Sequence, residues 1–199
     1  MKTDLIEKYA PILCGLTPPV VRDPRLLMDA SGDVKIYYAP FEYINPSARI
    51  VLVGITPGPT QMVNANNEAR HALQADKPST EAIQAAKSVG AFSGEPLRSN
   101  LINQINHWGF HKWLGLGDSA DLFSTSCHLV QTTSLLRYPV FVKDDDYRGS
   151  PDMTRHPLLR KYLPDQLPHG DRSAPVPHAT NPVPYGHGRR AFRERFVTA

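Results

Sequence analysis

Residues 49–62, RIVLVGITPGPTQM, decide how this chain is read. Ile50, Val51, Leu52 and Val53 form an unalternated apolar run, the pattern of a central parallel strand covered on both faces. The run stops at Gly54. Pro57 and Pro59 then set two φ angles and remove two backbone donors, while Gly54 and Gly58 add positions without side-chain bulk. The expected product is a stiff ledge over residues 54–61, where backbone N–H groups such as those of Thr56 and Gly58 could meet a flat ligand.

Working outward, Leu5, Ile6, Tyr9 and Leu13 at helical spacing predict a short helix over residues 3–14, with Thr3 as its N-cap and Pro18-Pro19 beyond its end. The segment VKIYYAPFEYINPSA, residues 34–48, mixes β-branched and aromatic residues with two prolines and predicts a short edge strand. After the ledge two covering helices are expected. One runs over residues 79–89 from the cap signal Ser79-Thr80-Glu81; the other, over 96–108, sets Leu97, Leu101, Ile102, Ile105 and Trp108 on one stripe. A second strand is expected near residues 127–132. The order strand, helices, strand implies a parallel crossover, which puts the ledge beside residues 132–137 at the carboxyl ends of the strands, where open α/β sheets bind ligands.

With 199 residues, 41% apolar and 21% charged, the chain has the composition of one globular domain with a sizeable core. The 19 prolines are unevenly placed. Residues 1–163 read as an α/β core and residues 164–199 as a proline-rich basic tail with no apolar run longer than one residue before RRAFRERF. From Arg155 onward eight Arg/Lys stand against three Asp/Glu, so the net charge of +3 is concentrated there and suits a polyanionic partner. Cys14 and Cys127 are too few for a disulfide framework. Asp4 and Glu7 interrupt what would be the apolar part of a signal peptide, and no run approaches a bilayer span, so the expected location is cytoplasmic, with no membrane partner.

The spacing contains neither G-x-x-x-x-G-K-[ST] nor G-x-G-x-x-G, which excludes both common phosphate fingerprints. The string VGITPGP, residues 53–59, instead resembles the first motif of the uracil-DNA glycosylase superfamily, especially its G-x-N-P-G form. That resemblance implies a three-layer α/β sandwich with a short parallel sheet, in which the residue before the proline, here Thr56, positions the attacking water. The family's second motif, H-P-S-x-x-N, is similar to residues 177–181, PHATN, so His178 would stabilise the departing base and Asn181 would help to hold it. The base-reading position would fall in VQTTSLLRYP, at Thr133 or Ser134. Gly54, Ile55, Pro57 and Gly58 would line the pocket.

The implied activity is monofunctional hydrolysis of the N-glycosidic bond of uracil or a related deaminated base. The implied partner is single-stranded or lesion-containing DNA, bound by a monomer without metal or organic cofactor. Such chemistry passes through an oxocarbenium-like sugar, and a threonine hydroxyl can orient water for it but cannot act as a base near neutral pH. The alternative is a non-catalytic nucleic-acid-binding or truncated relative. Arg189, Arg190, Arg193 and Arg195 could meet phosphates, and Trp108 and Trp113 could stack on bases. His107 and His111 lie four apart, but Gly109 interrupts and no third ligand is near, so no metal site is expected.

Overall fold

The computed structural model describes residues 3–17, 22–163 and 197–198. In chain order the first half holds α1 (Asp4–Cys14), β1 (Leu27–Ser31), β2 (Val34–Tyr37), β3 (Ile50–Gly54), α2 (Pro59–Gln74) and α3 (Ser79–Gly90). Then follow α4 (Leu97–His107), α5 (Phe110–Leu114), β4 (Val130–Ser134), β5 (Val140–Val142), β6 (Asp145–Asp146), α6 (Pro157–Tyr162) and β7 (Val197–Thr198). The class is α/β.

The apolar run at 50–53 forms the middle strand of a parallel sheet, β4-β3-β7, with Ile50 opposite Val130 and Gly54 opposite Ser134. The second strand begins later than its sequence suggests. Residues Cys127–Leu129 make a 3-10 turn, and the ladder starts only at Val130. The 34–48 segment does not supply an edge strand: β2 lies inside a separate antiparallel sheet, β1-β2-β5-β6, paired on both sides. Its prolines, Pro40 and Pro46, fall after the strand, so no ladder donor is lost.

Three of the expected helices appear with small shifts. In α1 the residues Ile6, Tyr9 and Leu13 are buried, and Tyr9 stacks on Tyr38 at 4.2 Å between ring centroids. The Thr3 side chain makes no capping hydrogen bond. In α4 the stripe narrows to Leu101 and Ile105, both no more than 2% exposed, each contributing about 1.5–3 kcal/mol by burial, whereas Trp108 is half exposed.

Helix α2 is a correction. The ledge ends at Gly58, which caps α2 in an extended conformation, and Pro59 occupies the first helical position where its missing donor costs nothing. The buried face of α2 is built on Met62, Ala65, Ala69 and Ala72. Small residues there let α3 come close: a Cβ on Gly90 would sit 2.6 Å from that of Ala65. One core cluster then joins α1 and β2 to the α2–α4 helices and to Leu158 and Leu159 of α6. Among the described residues no helix is long and apolar enough to cross a membrane.

Candidate functional site

The chain leaves β3 at Gly54 and runs alongside the end of β4. The Leu135 amide donates to the Gly54 carbonyl at 2.8 Å, and that of Leu136 to the Ile55 carbonyl at 2.9 Å. Loop 54–58 and Thr133 and Ser134 therefore stand side by side at the carboxyl ends of two paired parallel strands. A methyl at Gly54 would just touch the Phe92 ring and Ser134 Oγ, each at 3.4 Å. Pro57, Thr132, Thr133 and Ser134 line a slot closed by Phe41, Phe92, Gln61, Lys87 and Arg137, whose free volume of about 10 Å³ holds no more than a water molecule. Across the ledge, Thr56, Pro57, Gly58 and the first residues of α2 border an open depression of about 310 Å³, with Ser93, Glu95 and Arg148 opposite.

Thr56 is anchored. Its hydroxyl donates to the Tyr138 carbonyl at 3.0 Å and accepts from the Val140 amide at 3.2 Å, so it ties the loop to the segment entering β5. One lone pair is left for any water. Ile55 points outward, 40% exposed, and Pro57 is buried. Gly58 has open space around it. His178 and Asn181 lie outside the described residues, as do Arg189, Arg190, Arg193 and Arg195. Trp113 is partly exposed, with the Arg49 guanidinium 4.7 Å from its ring centre, and Trp108 packs edge-on to Phe110. Among the described residues no cluster of His, Cys, Asp or Glu could hold a metal ion.

Sequence reasoning missed Phe92. It adopts φ +50°, a left-handed conformation that costs a bulky residue roughly 1–3 kcal/mol and that persists where the surroundings over-determine it. Here they do. Its amide donates to Gln61 Oε1 at 3.0 Å, while Arg98 donates to the carbonyls of Phe92 at 3.2 Å and Ala91 at 2.8 Å. The ring is thereby fixed against Gly54.

Also missed was a buried charged cluster behind the slot. Glu42 is 8% exposed and accepts from the Tyr138 hydroxyl at 3.1 Å, and the Arg137 guanidinium lies beside the same hydroxyl. Lys87, 5% exposed, donates to the Tyr43 carbonyl. Burial pushes the Glu42 carboxyl up to about 7, against the opposing pull of the Tyr138 hydroxyl and of the Arg137 and Lys87 charges. Burial likewise brings the Lys87 amine down to about 7, with Arg137 acting in the same direction and Glu42 against it. The Tyr138 hydroxyl is raised well above the usual tyrosine range, by burial first and by Glu42 second. Lys87 had a sequence signal: it shares the face of α3 that carries Ile83, Ala86 and Gly90.

No family model matches the chain, and no solved structure matches it. The uncharacterized protein YoxB of Bacillus subtilis (strain 168) is 32% identical over 199 residues, a match spanning 98% of this chain and 75% of YoxB. The chain belongs to the YoxB family. Since YoxB is itself uncharacterized, membership brings no activity with it, and the chemistry of this YoxB-family chain must be read from its own residues. Thr132, Thr133, Ser134, Gln61 and two phenylalanines border the slot, which has room for no more than a water molecule. Behind it stand the buried amine of Lys87 and the buried carboxyl of Glu42, both with proton affinities shifted first by burial.

Proposed function

We propose that this chain is a nucleobase-binding domain of uracil-DNA glycosylase-like architecture, which receives an unstacked base of single-stranded or lesion-containing DNA at the ledge. One observation carries this reading: loop 54–58 is hydrogen-bonded along the end of β4, and the Phe92 ring and Ser134 Oγ meet beside Gly54, with Thr133 also bordering the slot. The base would lie toward the slot, its edge read by hydroxyls, with the sugar-phosphate across the depression beside Arg148 and the N-terminus of α2. Because the slot is nearly closed, entry of a base requires the lining side chains to move.

The second reading is monofunctional N-glycosidic hydrolysis, favoured by the remaining Thr56 lone pair at the edge of the depression. That hydroxyl can hold a water but cannot deprotonate it, so release of base would be slow and would depend on His178 as donor to the leaving base.

The test is fluorescence anisotropy with a uracil-containing single-stranded oligonucleotide, together with an assay for free base. Salt-sensitive binding weakened about 5- to 150-fold by Phe92→Ala, the roughly 1–3 kcal/mol of a lost base stack, is the expected result. Binding that Phe92→Ala leaves unchanged, or no binding at low salt, overturns the proposal. Free uracil that disappears in His178→Ala selects hydrolysis over binding alone.

A further inference from the structure

A second cavity lies on the other side of Lys87. It encloses about 230 Å³ between α3 and the segments that flank β4, with Tyr43, Ser47, Gln84, Phe123 and His128 in its walls. That is smaller than the roughly 300–1,000 Å³ of drug-sized sites, so its occupant is smaller than a nucleotide. Lys87 stands in the wall shared by this cavity and the slot.

The surroundings of that amine are unusual for a lysine. It is almost fully buried, makes no ion pair among the described residues, and has one hydrogen bond, donated to the Tyr43 carbonyl. A buried ammonium without a carboxylate against it is costly, and the neutral amine is the form that such a site favours. A neutral amine at the wall of a cavity is a nucleophile.

We propose that Lys87 is a carbonyl-reactive amine that captures a small aldehyde or ketone in the 230 Å³ cavity as an imine. The amine lone pair attacks the carbonyl carbon, the C–N bond forms, and the carbonyl oxygen takes up a proton. Loss of that oxygen as water, with a proton leaving nitrogen, gives the imine without net oxidation or reduction. This inference does not rest on the DNA-binding reading. The charged groups that act on the amine are Glu42 and Arg137 on the flanking segments, and the other titratable residues of the cavity wall are Tyr43, Cys127 and His128. Burial and Arg137 both lower its proton affinity, to about 7. An ordinary lysine, near 10.4, is neutral at pH 7 in only about one molecule in 2,500.

The experiment is reductive methylation of the intact chain with formaldehyde and cyanoborohydride from pH 6 to 10, quantified peptide by peptide by mass spectrometry. At pH 7 Lys87 should be labelled at least 10-fold faster than the exposed Lys112 and Lys143, and its rate should level off above about pH 8. The exposed lysines should gain close to 10-fold per pH unit throughout. Glyceraldehyde followed by borohydride should leave one adduct per chain, absent in Lys87→Arg. Labelling of Lys87 that parallels the exposed lysines, or a Lys87 that stays unlabelled while they react, overturns the proposal. A glyceraldehyde adduct that persists in Lys87→Arg does so as well.

Discussion

Tyr138 donates its phenolic hydrogen to Glu42 Oε1 at 3.1 Å, joining the segment after β2 to the segment between β4 and β5 in the buried interior. This bond places a carboxyl group behind the slot, in surroundings that disfavour its charge.

A pH dependence follows from Glu42. Its carboxyl is raised from an ordinary 4.5 to about 7 on folding, so the folded chain holds that proton more tightly than the unfolded chain does. The associated stability is complete below about pH 4.5 and is lost as pH rises through about 7. In Glu42→Gln, which keeps an acceptor for Tyr138, the melting temperature should lose this downward slope. Thermal scans of both proteins at half-unit steps check it.

Lys87 gives the opposite slope. Its amine falls from 10.5 to about 7 on folding, so its contribution is complete above 10.5 and is lost as pH falls through about 7. The difference in melting temperature between the wild type and Lys87→Met should therefore shrink or reverse as pH is lowered across this window. A difference that stays constant from pH 7 to 10.5 would show that the amine titrates normally.

Gly90→Ala should destabilise the fold. Alanine is normally the better helix former by about 1 kcal/mol, yet here the new methyl would sit 2.6 Å from Ala65 Cβ and 3.0 Å from the Ala65 backbone. Neither neighbour is a flexible side chain that can swing away. Urea unfolding should show a net loss of roughly 1–3 kcal/mol from overpacking between α2 and α3.

Thr56→Val separates a structural hydroxyl from a functional one. The change is nearly isosteric and leaves the Tyr138 carbonyl and Val140 amide without their partner, at a cost of about 1–3 kcal/mol. Thr56→Ser should restore most of that stability. Unchanged stability with lost base release would assign the hydroxyl to water positioning instead.

Much of the framework was legible locally. The burial of Ile6, Tyr9 and Leu13 and of Leu101 and Ile105 follows directly from their spacing, and the unbroken run at 50–53 does occupy the middle of a parallel sheet. Helix α2 was not legible, because beyond Met62 its buried face is made of alanines and an asparagine, which give almost no contrast between faces. The place of β2 between β1 and β5 was hidden too, since pairing partners are set by distant residues.

By itself the sequence determined the ledge: prolines and glycines act on their own backbone, so the end of β3 and the stiff turn after it are written into residues 54–58. It also determined which helices present an apolar stripe. Only the tertiary structure decided that Glu42, Lys87, Arg137 and Tyr138 meet, that Phe92 is held left-handed against Gly54, and that the Thr56 hydroxyl bridges to Tyr138 and Val140. The reason is physical: backbone conformation is a property of a few neighbouring residues, whereas desolvation and charge coupling depend on whatever the rest of the chain brings within reach.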